Sequence, residues 1–126
     1  MKLFKNREPT LPAVTAYDEK SVTINHMRFF QSILVLPNAA PILWSVSDFD
    51  NLTPADFSVV VASQPDLLIV GTGMQQRFLP PKLAVYLSSE KIGVEYMKTK
   101  VACRTFNLLL SEERRVALAI FMKDSA

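Results

Sequence analysis

The chain has 126 residues, of which 49% are hydrophobic and 21% are charged, a balance typical of a globular protein and not of a disordered or fibrous one. This length suits one domain that buries a core without metals or disulfides. The single cysteine, Cys103, excludes an intrachain disulfide and a cysteine-based metal cluster. A net charge of +2 is too small to favour nucleic-acid binding.

The N-terminal residues MKLFKNREPTL have no hydrophobic periodicity. They also lack the apolar core of a secretory signal and the Arg- and Ser-rich pattern of a transit peptide. We therefore expect a loose arm over residues 1–13, followed by a single domain over residues 14–126. No apolar run approaches the roughly 20 residues of a membrane-spanning helix, so the sequence predicts a soluble protein in a bacterial or other cytoplasmic setting.

Short strands are predicted throughout the N-terminal half. Residues 21–24 and 27–30 flank Asn25–His26, which predicts a tight hairpin because Asn tolerates the left-handed conformation. Residues 32–36 and 42–46 are predicted as two further strands.

Helices and strands alternate in the C-terminal half. Thr53, Pro54 and Asp56 have the pattern of a helix start, and the apolar run 67–71 is typical of a strand that is covered on both faces. Residues 116–122 lack polar alternation, which predicts a central strand. The predicted order is helix 54–64, strand 67–71, helix 81–90, strand 93–97, helix 100–110 capped by Thr99, and strand 115–122. This order indicates an α/β fold.

The stretch LLIVGTGMQQRFLPP, residues 67–81, looks like a dinucleotide-binding turn. Such a turn needs a third glycine and a helix that begins within the motif, but Gln76 occupies the third position and Pro81 delays the helix. Glu95 lies about 20 residues further on, where an acidic ribose ligand could fall. We interpret the glycines as a sharp turn and predict no cofactor, although this end of a strand is where open α/β sheets place ligands.

The same glycines become more informative beside the segment GVEYMKTKVACRTFNLLLSEERRVALAIF. Over residues 14–121 the chain resembles the Mth-nine-three-eight-like domain family, a family of unknown function. The matching positions are Gly71, Gly73, Pro80, Gly93, Glu95, Met97, Thr99, Ala102, Arg104, Thr105, Asn107, Glu112 and Arg114. Phe106 stands where the family often has tyrosine, and Glu113 where it often has glycine, at a turn for which a left-handed residue is expected.

The resemblance implies a single α/β domain with a mixed central sheet flanked by helices and an additional N-terminal β-layer. Similar proteins include a mitochondrial respiratory complex I assembly factor and an adipogenesis-associated protein. Assembly or protein interaction is therefore the function that the resemblance implies, with no established reaction.

A polar cluster near the Gly71 loop is the candidate site. It consists of Gly71, Thr72, Gly73, Arg77, Glu95, Thr99, Arg104 and Asn107. In a structural interpretation, Arg104 pairs with Glu95 or Glu112, and Asn107 bonds a loop backbone and fixes the final strand. In a functional interpretation, Arg77 and the amides after Thr99 bind an anion, or Glu95 acts as a base.

The remaining reactive side chains do not favour hydrolysis. His26 is the only histidine and falls in the predicted hairpin turn, while Cys103 shares a helical face with apolar residues and is interpreted as a buried thiol. No spacing indicates a metal site. The leading hypothesis is a non-catalytic protein-interaction or assembly factor. The alternative is a small-molecule- or anion-binding protein or enzyme that uses the polar cluster, and nucleic-acid binding is disfavoured.

Overall fold

The computed structural model of the chain describes residues 13–46 and 48–122, so the predicted arm lies outside the described residues apart from Ala13. The strands of the described part are β1 (Val14–Tyr17), β2 (Val22–Ile24), β3 (Met27–Phe29), β4 (Ile33–Val35), β5 (Ile42–Leu43), β6 (Leu67–Gly71), β7 (Gly93–Met97) and β8 (Val116–Ile120). The α-helices there are α1 (Ser58–Ser63), α2 (Pro81–Ser89) and α3 (Thr99–Ser111), and 3-10 helices occupy Phe49–Asn51 and Pro54–Phe57.

A five-stranded mixed sheet in the order β5-β4-β8-β6-β7 forms the centre of the fold. β6 runs parallel to both β7 and β8, whereas β4 runs antiparallel to β5 and β8. All five residues of β8 are buried, because this apolar strand has a neighbour on each side and helices on both faces. The predicted central position of this strand is confirmed.

The first three strands form a separate antiparallel sheet in the order β1-β2-β3. Asn25 and His26 link β2 to β3 with φ values of 48° and 75°, the left-handed geometry of a tight hairpin turn. The additional N-terminal β-layer is thus present. Together with the mixed sheet and its helices, it confirms the predicted α/β fold class.

Each face of the central sheet carries its own apolar cluster. On one face, Ala102, Cys103 and Phe106 of α3 pack against Ile69 and Leu118. On the other face, the buried residues of α1, α2 and the preceding 3-10 segments pack against the sheet; they include Phe49, Phe57, Val60, Leu83 and Leu87. Successive strand residues point to opposite faces of the sheet, so the side chains on both faces of the central strands are buried.

Most element boundaries differ from the prediction by one or two residues, and two elements differ by more. Pro54–Phe57 is a 3-10 turn before the short α1, and its start is held by Asp56, whose carboxylate accepts from Thr53 N–H at 2.7 Å. β5 spans Ile42–Leu43, although Trp44 N–H still donates to Ser32 O at 2.9 Å. The Trp44 side chain is buried, and its Nε1–H donates to Asp56 O at 2.9 Å. Backbone pairing therefore continues one residue beyond β5, and the buried indole has the hydrogen-bond partner that such rings usually find.

Candidate functional site at the carboxyl ends of β6 and β7

Gly71 ends β6 directly under the first turn of α3. A Cβ at this position would lie 3.2 Å from Thr99 Oγ1 and 3.3 Å from Ala102 Cβ, closer than most Cβ contacts. The glycine therefore allows α3 to pack tightly against the strand. Its role in this geometry is helix packing.

Gly73 and Thr99 join the loop after β6 to the start of α3. Gly73 has φ +95°, which favours glycine. Its N–H donates to Thr99 Oγ1 at 2.8 Å, and Thr99 N–H donates to Gly73 O at 2.9 Å. Thr99 was predicted to cap the helix, but Lys98 is the N-cap and Thr99 is the first helical residue. The hydroxyl is already bonded to the loop.

Thr72 is buried and organises the rest of the loop. Its N–H donates to Met97 O at 2.9 Å, and its hydroxyl donates to Gln75 O at 2.6 Å. The same oxygen accepts from Arg77 N–H at 3.1 Å. A buried hydroxyl with partners on both sides satisfies the usual requirement for buried polar groups.

The guanidinium of Arg77 has two partners within the chain. Its Nη2 lies 2.8 Å from Asp50 Oδ1, and its central carbon lies 4.5 Å from the ring centroid of Phe49. Such exposed pairs contribute little stability, but this pair and the ring contact orient the loop. The positive charge of Arg77, which was predicted to bind an anion, is therefore already paired with the carboxylate of Asp50.

Glu95 and Arg104 do not meet. Both are exposed, and the ion pairs in the described part of the chain are Arg28–Asp18 and Arg77–Asp50. The predicted pairing of Arg104 with Glu95 or Glu112 is therefore wrong. Ala102, Cys103 and Phe106 form the buried face of α3, so helical periodicity directs Arg104 to solvent.

Asn107 holds the N-terminal strand against α3. Its Oδ1 accepts from Val14 N–H at 2.9 Å, and its Nδ2 donates to Val14 O at 2.7 Å. The amide bonds backbone, as the structural interpretation expected. The segment that it fixes is β1 and not the final strand, which is a correction to that interpretation.

The potential nucleophile and base lie elsewhere. Burial raises the pKa of Cys103 to about 12, so its thiol stays protonated at neutral pH and is a poor nucleophile. His26 is exposed in the β2–β3 turn, on the other sheet. Among residues 13–46 and 48–122, no group of three or more His, Cys, Asp or Glu side chains could hold a metal ion.

The same loop carries an exposed apolar surface that was not predicted from the sequence. Met74 and Phe78 are 68% and 66% exposed, and the Phe78 ring meets the Tyr96 ring edge-on at 5.2 Å between centroids. Burial raises the pKa of Tyr96. We call Met74, Phe78 and Tyr96 the loop patch. In the sequence, the available signal for this surface was the presence of Met74 and Phe78 beside polar residues in the loop before Pro80 and Pro81.

Comparisons with known proteins agree with this architecture. The family model described as "Protein of unknown function (DUF498/DUF598)" matches residues 14–121. The chain belongs to this family. The Mth938-like domain of a Bordetella pertussis protein is 29% identical, with a TM-score of 0.81, and the match covers 99% of this chain and 95% of that one. The resemblance found in the sequence is thereby confirmed.

Two further similar proteins extend the comparison. A Bordetella parapertussis protein of known structure is 34% identical with a TM-score of 0.82, covering 91% of this chain and 98% of that one. The NADH dehydrogenase (ubiquinone) 1 alpha subcomplex assembly factor 3 of Rattus norvegicus is 29% identical over 122 residues. That match covers 95% of this chain but 65% of the rat protein, so the chain spans less than two thirds of this relative's length.

In the part of the chain that the structure describes, no helix combines the length and the apolar character needed to cross a bilayer.

Proposed function

We propose that the chain is a non-catalytic assembly-type factor that binds a protein partner through the carboxyl edge of its central sheet. The polar groups at this edge are engaged within the chain. Thr72 and Thr99 bond loop backbone, and Arg77 pairs with Asp50. This arrangement favours a structural role for the polar cluster and gives no support to binding of a small anion or of nucleic acid.

The loop patch is the observation that carries the proposal. Met74 and Phe78 expose about two thirds of their surface, and Phe78 is oriented by its contact with Tyr96. Aromatic residues and methionine are enriched at protein interfaces. Because the loop is held by hydrogen bonds, its backbone loses little conformational freedom on binding.

The relatives suggest the class of partner. The rat protein is named as an assembly factor of an NADH dehydrogenase subcomplex. We extend this role to the present chain as part of the proposal: its partner is a subunit, or another assembly factor, of the host's NADH dehydrogenase.

Deletion and complementation in the host organism test this proposal. Loss of the gene is expected to reduce the amount of assembled NADH dehydrogenase on native gels, and the wild-type chain should restore it. The double variant Met74→Ser/Phe78→Ser should not restore assembly. Val85→Ser is the matched control, because Val85 is also 68% exposed but lies on α2. Normal assembly in the deletion strain would contradict the proposed function.

A further inference from the structure

β7 lies at one edge of the central sheet, with β6 as its neighbour. Gly93 N–H donates to Asp66 O, and Met97 O accepts from Thr72 N–H, so these residues direct their backbone groups toward β6. Because successive strand residues direct their backbone groups to opposite sides, Val94 and Tyr96 direct theirs away from the sheet. The outer edge of β7 therefore presents backbone donors and acceptors.

A side chain already occupies one position on this edge. Gln76 Nε2 donates to Tyr96 O at 3.0 Å, where the N–H of an added strand would bond. Gln76 is exposed, so its amide can exchange this bond for one with water at small cost. Among residues 13–46 and 48–122, the Gln76 bond is the one side-chain hydrogen bond to the outward backbone groups of β7.

The side chains of β7 differ between the two faces. Val94 and Tyr96 pack against the cluster on the α2 side, where the Phe78 ring extends the apolar surface. Glu95 lies on the opposite side, is exposed, and has no ion-pair partner among residues 13–46 and 48–122. An added strand would meet an apolar surface on one face and a carboxylate on the other.

Building on the proposed protein-binding function, we propose that β7 is a strand-addition site for an extended segment of the partner protein. The segment pairs with the outer backbone groups of Val94 and Tyr96 and displaces Gln76. One face of the segment places apolar side chains on Tyr96 and Phe78. Its other face places a lysine or arginine opposite Glu95, since opposite charges on neighbouring strands attract.

Val94→Pro tests the backbone pairing. Proline removes the outward N–H that an added strand needs, yet an edge strand tolerates proline where its N–H faces solvent. Val94→Thr is the matched control, because it keeps the N–H and a β-branched side chain. Melting curves and amide NMR spectra of both variants establish that the fold is retained.

Random linear peptides displayed on phage serve as the probe and are selected on the wild-type chain. Enriched peptides are expected to alternate apolar residues with lysine or arginine. A synthetic copy of one should bind Val94→Pro about tenfold more weakly and Val94→Thr with unchanged affinity. Gln76→Ala should bind it more tightly, because the competing amide is gone.

A second measurement uses the wild-type chain alone. Methylating the peptide nitrogens that pair with β7 should abolish binding, and binding of the unmodified peptide should slow exchange of the Val94 and Tyr96 amides. Absence of enriched peptides, or equal binding to wild type and Val94→Pro, would overturn the strand-addition proposal. So would self-association in sedimentation that is lost in Val94→Pro, because the occupant would then be a second copy.

The complementation assay separates this proposal from the proposed function. If the loop-patch double variant fails to restore assembly and Val94→Pro restores it, strand addition is wrong and the assembly role stands. If deletion leaves assembly normal while peptides still bind the edge of β7, the assembly role is wrong and the strand-addition site stands.

Discussion

Asn107 and Arg104 lie one turn apart on α3 and illustrate how differently two polar residues on one helix can be placed. The Asn107 amide makes two hydrogen bonds to Val14, which is 93 positions away in the sequence. Arg104 points to solvent without an ion pair in the described chain. A carboxamide can satisfy one donor and one acceptor of a single residue. The Asn107 side chain therefore pairs with the Val14 backbone as a residue of a neighbouring strand would.

We expect Asn107→Ala to lower the free energy of unfolding by about 1–3 kcal/mol, because Val14 keeps a partly buried donor and acceptor without partners. Arg104→Ala is the matched control and should change stability by less than about 0.5 kcal/mol, as is usual for exposed sites. Urea unfolding measures both variants. A larger loss for Arg104→Ala than for Asn107→Ala would contradict these assignments.

Cys103 is a buried thiol whose reactivity can be predicted. Burial raises its pKa from the ordinary value of 9.0 to about 12, so the folded chain should resist thiol reagents at pH 8 while the urea-unfolded chain reacts rapidly. Between pH 9 and pH 12 the unfolded thiol ionises and the folded one does not. This contribution to stability is therefore complete below pH 9 and is lost as the pH rises toward 12. Fast labelling of the folded chain would show that the thiol is accessible.

At the scale of elements, all three α-helices of the described chain end at a left-handed residue that is not glycine. These residues are Gln64 after α1, Lys91 after α2 and Glu113 after α3, with φ values of 52°, 66° and 61°. After α3, Glu113 N–H donates to Leu110 O and Arg114 N–H donates to Leu109 O, the Schellman pattern that favours glycine. The left-handed turn expected at Glu113 from the family pattern is present.

Glu113→Gly should therefore raise the free energy of unfolding by about 0.5–1 kcal/mol, because glycine removes the left-handed strain. Glu112→Gly is the control: Glu112 has φ −91°, so glycine there adds only unfolded-state entropy and should lower stability by a similar amount. Thermal melting compares the two variants. Equal effects of the same sign would show that strain at Glu113 is negligible.

The loop between β6 and α2 leads to a prediction about dinucleotides. Nine residues separate the end of β6 at Gly71 from the start of α2 at Pro81, and the Gly73 amide donates to Thr99. The amides of α2 thus begin far along the chain from the glycines, unlike a dinucleotide-binding turn. Titration with NAD or NADP should leave the melting temperature unchanged, and a rise that depends on ligand concentration would refute this prediction.

At the scale of the whole molecule, β8 connects the antiparallel and parallel parts of the central sheet. It pairs with β4 on one side and β6 on the other, and its residues contribute to the clusters on both faces. We expect the amides of Val116–Ile120 to be among the slowest to exchange, because their opening requires global unfolding. Exchange there as fast as in edge strand β5 would contradict the central role of β8.

The sequence by itself determined the order of the helices and strands from β2 onward, the hairpin at Asn25–His26 and the buried character of β8, whereas β1 (Val14–Tyr17) was not predicted. These features follow from local rules: hydrophobic period, turn chemistry and proline positions act within a few residues. The arm over residues 1–13, the domain limits 14–126 and the cytoplasmic setting stay predictions.

Only the tertiary structure decided which side chains meet at the candidate site. Thr99 bonds Gly73 across 26 positions, Arg77 pairs with Asp50 across 27, and Asn107 bonds Val14 across 93. Strand order and helix packing create these contacts, and residue types alone do not encode distances between segments so far apart. The predicted ion pair of Arg104 was wrong for the same reason. The spacing of residues along α3 shows which side chains share a face of the helix, but packing against the sheet decides which face is buried.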